Sequence, residues 1–263
     1  MKKFGCILVI MASVLFGTSQ LLAAPTLIAH WNFNEGEGNV LHDVSGNGHD
    51  GIINGSPAWL PVGQGLRFDG IDDYVEIPNT SSTKFNFTSG FVLDAWVRMD
   101  PANVNMDNVI VAQHKATIQA GYFLGVWQNQ QFDFYLNGGV GPWPNRLLTT
   151  VPPSYNNATW YEVVGLYDGK TQYLSVLDAI GNTLYQGQQP MDYTSTVSTN
   201  ITIGAVYSGI DGQMHLGGEA GHFMGDIRDL AIYSIPEPST IALLGIGAVS
   251  LLAYAWRRRK TAA

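Results

Sequence analysis

Residues 91–98 read Phe91-Val92-Leu93-Asp94-Ala95-Trp96-Val97-Arg98, and their alternation decides the fold. Side chains of a strand point to opposite faces in turn. One set is Phe91, Leu93, Ala95 and Val97, wholly apolar. The other is Val92, Asp94, Trp96 and Arg98, which is mixed. This predicts a sheet with one face on a core and the other partly covered. Similar short runs recur on both sides: Leu27–Phe33, Tyr74–Ile77, Val109–Ala112, Tyr122–Trp127, Phe132–Leu136, Trp160–Tyr167, Gln172–Leu177, Ile201–Ala205 and Asp226–Tyr233. Turn formers divide them, as in Gly36-Glu37-Gly38, Gly46-Asn47-Gly48, Asn137-Gly138-Gly139 and Gly181-Asn182. Asp168-Gly169 predicts a two-residue type I′ hairpin turn. No long 3.6-residue period occurs outside the chain ends. The body therefore reads as all-β, a single sandwich or barrel.

The chain has 263 residues, 13% of them charged and 11% aromatic. That composition excludes a disordered chain, a coiled coil and a long helical bundle. The single Cys6 excludes a disulfide framework and any zinc site needing more than one thiolate.

The two ends differ from the body. Lys2 and Lys3 precede an apolar run from Phe4 to Phe16, with small residues at Ala23 and Ala24. Residues 1–24 read as a helical secretory signal peptide. At the other end, Pro236-Glu237-Pro238-Ser239 precedes an uncharged run, Thr240 to Trp256, then Arg257, Arg258, Arg259 and Lys260. Residues 240–256 predict a transmembrane helix of minimal length, with the basic cluster cytoplasmic and residues 25–234 outside. Box, helix and cluster together resemble the PEP-CTERM sorting signal, over residues 235–263. The resemblance implies a Gram-negative bacterium, the inner membrane as an anchor before processing, and an exosortase-type enzyme as partner. It also implies release to the cell surface or the extracellular matrix.

Setting these ends aside removes six of the 13 basic residues and one of the 21 acidic ones, so the body holds 7 and 20, about −13. This balance argues against nucleic acid as the main partner.

Several body segments resemble a known family. These are His30 to Gly38, the glycine-rich loop Asp43 to Gly51, Leu66 to Val75, Phe91 to Arg98, Trp160 to Lys170 and Phe223 to Tyr233. In that order they resemble the LamG-like, concanavalin A-like jelly roll. The resemblance implies a single jelly-roll β-sandwich over residues 25–234, with its first and last strands adjacent. At the closing strand Arg228 stands where that family often has an acid, and Asp229 keeps the second acidic position.

Catalysis finds little support in these residues. The Glu-x-Asp-x-Glu strand of related glycanases is absent, and Asp226 and Asp229 are spaced for opposite faces of a strand. The six histidines form no His-x-x-x-His or Glu-x-x-His pattern, and no Gly-x-Ser-x-Gly elbow occurs. Two non-catalytic readings remain. Asp43, Asn47 and Asp50, with Asp229 closing the site, offer hard oxygens to a structural Ca2+; equally, they suit an Asx-rich turn capping its own backbone. Trp143, Asn145 and Arg146, with Trp127 in a second patch, suit a sugar ring and its hydroxyls. Trp31, Trp96, Trp127 and Trp160 also sit where core residues belong. The chain therefore reads as a non-catalytic exported binding protein for carbohydrate or a surface protein. A glycan-active hydrolase with scattered carboxylates and a passive matrix component are the alternatives.

Overall fold

The computed structural model describes residues 24–79, 85–87, 89–100, 108–115, 120–127, 131–138, 146–148, 159–193, 197–206 and 221–236. Among them are sixteen strands and no α-helix. In chain order these are β1 (Thr26–Trp31), β2 (Val40–Leu41), β3 (Gly51–Asn54), β4 (Ala58–Trp59), β5 (Leu66–Asp69), β6 (Tyr74–Ile77), β7 (Gly90–Met99) and β8 (Asn108–Lys115). They continue with β9 (Ala120–Trp127), β10 (Gln131–Gly138), β11 (Arg146–Leu148), β12 (Tyr161–Tyr167), β13 (Thr171–Asp178), β14 (Thr183–Pro190), β15 (Ile201–Ile203) and β16 (Met224–Ile235).

The strands form two antiparallel sheets of eight. Sheet A runs β14-β13-β12-β7-β16-β5-β4, with β1 also on β16; sheet B runs β11-β10-β9-β8-β15-β6-β3-β2. The first and last strands are adjacent, as the jelly-roll resemblance implies. The helices expected at residues 1–24 and 240–256 lie outside the described residues. No described helix is long and apolar enough to cross a membrane.

Phe91, Leu93, Ala95 and Val97 of β7 enter the core between the sheets, so the alternation read from residues 91–98 is realised. Phe91 is the hub. Its ring stacks on Phe87 at 4.7 Å between centroids and meets Tyr122, Phe134, Tyr167 and Tyr193. Gly165 in β12 lets the sheets approach there, for a Cβ would lie 2.6 Å from the Phe134 ring.

The other face of β7 is mixed. Val92 joins Val164, Leu166, Leu177 and Ile235 in a separate apolar cluster, flanked by Tyr173 and Tyr233. Burial, then the nearby Asp94, pushes the Tyr233 hydroxyl up to about 12.

Three expectations need correction. Trp31 is buried in the core, whereas Trp96 and Trp160 are half-buried beside Arg228 on the outward face of sheet A. The hairpin between β12 and β13 is a three-residue connection, Asp168 to Lys170, with positive φ at Gly169 alone. The reason is the Asp168 carboxylate, which accepts from the Lys170 and Thr171 amides and closes an Asx turn. Finally, β14 is a strand that periodicity did not reveal, because it is polar and contains Gly187. It is an edge strand ending in Pro190.

Candidate functional site

In β10, Phe132, Phe134 and Leu136 point into the core, so Gln131, Asp133, Tyr135 and Asn137 share the opposite, outward face of sheet B. In β9, Tyr122, Leu124 and Val126 point inward, leaving Phe123 outward between Gly121 and Gly125. Register aligns these faces: Tyr135 stands opposite Phe123, Asp133 opposite Gly125, and Asn137 opposite Gly121. On β8, His114 stands opposite Gly121. The Tyr135 ring stacks on Phe123 at 5.0 Å, with His114 edge-on at 5.4 Å. The Asn137 amide donates to the Tyr135 hydroxyl at 2.9 Å. All five side chains, those of His114, Phe123, Asp133, Tyr135 and Asn137, are buried. The result is a patch of ring faces beside an amide, a carboxylate and an imidazole. Being buried, these groups pack against one another and offer a ligand no open face; they fix the strands that carry the neighbouring positions.

Two of the residues predicted for ligand binding belong to this part of the sheet. Arg146 in β11 stands opposite Tyr135, and Trp127 in β9 stands opposite Gln131. Only the backbone is described for both. Trp143 and Asn145, in the connection from β10 to β11, lie outside the described residues. Sequence reasoning named Trp127 and Arg146 by residue type and did not name Asp133, Tyr135 and Asn137. Their signal was present in the alternation of residues 131–137, whose apolar set names the core face and whose polar set names this one.

The carboxylates expected for calcium do not gather. Asp43 Oδ1 accepts from the His30 and Ser45 amides, both at 2.9 Å; Oδ2 accepts from Ser45 Oγ at 2.9 Å and the His49 amide at 3.0 Å. Burial raises the Asp43 carboxyl, but these bonds outweigh it and hold the group below its ordinary value. Asp50 accepts from the Asp43 amide and meets His42. The Asn47 amide donates to the carbonyls of Leu27 and Ile28. Asp229 lies 2.6 Å from His30 Nε2. Hydrogen bonds thus tie the loop to β1, and His30 of β1 in turn meets Asp229 of β16. Among the described residues, the acids that do converge are Asp69, Asp72 and Asp73, with ligand atoms within 4.8 Å of one another. Asp73 there accepts from the Ser56 and Asp69 amides and organises a turn.

The sorting box begins where sheet A ends. Ile235, opposite Gly90, is the last residue of β16, and Pro236 follows. Glu237, Pro238, Ser239, Arg257, Arg258, Arg259 and Lys260 lie outside the described residues.

Residues 69–237 match the profile described as the concanavalin A-like lectin/glucanases superfamily, Laminin_G_3. The chain belongs to this family. Residues 234–260 match the PEP-CTERM protein-sorting motif, which marks this concanavalin A-like protein for export and exosortase-type processing. No curated protein sequence matches the chain. Among solved structures it is similar to domain 4 of an extracellular arabinanase from Geobacillus stearothermophilus, solved with arabinotriose. That match has 15% identity and a TM-score of 0.52, covering 84% of this chain and 99% of that one. It is also similar to the binding domain of botulinum neurotoxin serotype D, at 15% identity and a TM-score of 0.58, covering 84% of this chain and 52% of that one. A sialidase of Trypanosoma rangeli matches at 20% identity and a TM-score of 0.52, covering 84% of this chain but 33% of the sialidase. These identities show a shared fold. The superfamily contains both binding and hydrolytic members.

Proposed function

We propose that this protein is a non-catalytic carbohydrate-binding domain of the cell surface or extracellular matrix, anchored in the inner membrane until an exosortase-type enzyme processes its C-terminus. The observation that carries the reading is the outward face of β8 to β11. There the sequence-derived candidates Trp127 and Arg146 stand on the two strands flanking β10, opposite Gln131 and Tyr135.

The same face argues against hydrolysis. Glycosidic cleavage by the usual route needs two carboxyl groups about 5–9.5 Å apart. Asp133 is the single acid on the described outward face of β10. Glu76, outward on β6, is four strand spacings away, about 19 Å. A pair of that kind cannot be formed by these two residues.

The test is a glycan array followed by titration of the best ligand. Trp127→Ala and Arg146→Ala are each expected to weaken binding tenfold or more without changing the melting temperature. Unchanged affinity in both variants would remove the site from this face.

A further inference from the structure

The outward face of sheet A carries a second constellation. Three of the seven basic residues of the body meet there: Arg67 on β5, Arg98 on β7 and Arg228 on β16. Two of them share one buried acid. Asp226 Oδ1 accepts from Arg67 Nε at 2.6 Å, Oδ2 accepts from Arg98 Nε at 2.6 Å, and the Asp226 side chain is 1% exposed.

Arg228 is held differently. Its guanidinium carbon lies 4.2 Å from the centre of the Trp160 ring and 5.0 Å from that of Trp96. Arg98 lies over the same Trp160 ring at 4.9 Å. Two indoles hold the Arg228 guanidinium, while no hydrogen bond or ion pair engages it among the described residues. Burial, then the neighbouring Arg98, pushes its pKa down from the ordinary value. Asp226 pairs with Arg67 and Arg98, and Asp100 also acts on Arg67, so the surplus positive charge is about one, at Arg228, in a body of about −13. Glu162 stands opposite Trp96 in register.

A guanidinium that is oriented, partly desolvated and lacking an acceptor is prepared for a planar oxyanion. We propose that Arg228, with Arg98 beside it, binds the carboxylate of an acidic polysaccharide, at a site separate from the patch on sheet B. The polymeric nature of the ligand rests on the export and binding role proposed above; the oxyanion does not. Overall charge cannot draw a polyanion to so acidic a body, so binding requires a local site of this kind.

The test uses the full-length chain in mild detergent and four probes: polygalacturonate, its fully methyl-esterified form, dextran sulfate and inorganic polyphosphate. Polygalacturonate is expected to bind at least tenfold more tightly than the ester, which keeps the backbone and loses the charge. It is also expected to bind more tightly than the other two anions. Arg228→Gln should cost tenfold or more, and Arg228→Met, which keeps apolar packing between the indoles, should cost the same at an unchanged melting temperature. Arg228→Met should leave binding of a neutral glycan from the array unchanged, so failure of the sheet B site and failure of this one are separately visible. Absence of polygalacturonate binding, equal binding of the ester, or a folded Arg228→Met protein within twofold of wild type would overturn the proposal. Tighter, Arg228-dependent binding of sulfate or phosphate polymers would overturn its assignment to carboxylate.

Discussion

Asp226 and Asp43 show two ways in which this domain partners a carboxylate. Asp226 is buried between two guanidinium groups. Removing one member of such a group strands the others. Asp226→Ala is therefore expected to cost about 3–5 kcal/mol, read by chemical denaturation; a loss below about 1 kcal/mol would contradict the pairing. Asp43 is held by amides instead, and Asp73 has the opposite balance, with burial outweighing its bonds and its pKa raised. Their pH signatures must oppose each other. A lowered folded pKa gives stability that is present above the unfolded value near 3.8 and is lost as pH falls through the folded pKa. A raised folded pKa gives stability that is gained as pH falls through the folded value toward 3.8. Melting curves between pH 3 and 6 should show Asp43→Asn weakening the acid-side loss and Asp73→Asn steepening it. Because the oxygens of Asp43 already have protein donors, chelation is expected to leave the melting temperature unchanged; a fall of several degrees would instead support a structural Ca2+. The oxygen-rich composition of residues 43–50 was legible in the sequence. The partners were not: Arg67 and Arg98 lie 159 and 128 residues from Asp226, and no local pattern announces such pairs.

At the level of strands, alternation carried the reading. It found the core face of β7 and, among others, β6, β9, β10, β12 and β13. It failed where strands lack an apolar face, as in β14, or are very short, as in β2 and β4. It also missed the bulge in β16. The register shifts between Arg228 and Leu230, and Asp229 takes φ +59. That extra residue lets Ile227 and Leu230 both enter the core while Asp229 reaches His30. Asp229→Asn retains a side chain tolerant of this backbone and an acceptor for His30. Asp229→Val retains neither, and it is expected to cost about 2 kcal/mol more than the Asn variant by denaturation. Packing between strands gives a second test. Gly165→Ala pushes a methyl into Phe134 and is expected to cost about 1–3 kcal/mol, whereas Gly169→Ala meets open space and pays only for its backbone conformation.

For the whole molecule, order along the chain and order in space agree at the sorting signal. β16 pairs with β7, β5 and β1 and is complete at Ile235, directly before the box. Cleavage after Pro236 would leave all sixteen described strands in place. The C-terminal sorting signal and the jelly roll were readable because each rests on local composition or period. The outward faces proposed for binding were not, because they are made by register between strands far apart in sequence. The most direct measurement takes the polysaccharide bound best by the purified protein and follows saturable binding and new reducing ends in the same incubation. Saturable binding with reducing ends at the blank level is the predicted result; steady release of reducing ends, or no saturable binding to any polysaccharide, would contradict a non-catalytic carbohydrate-binding domain.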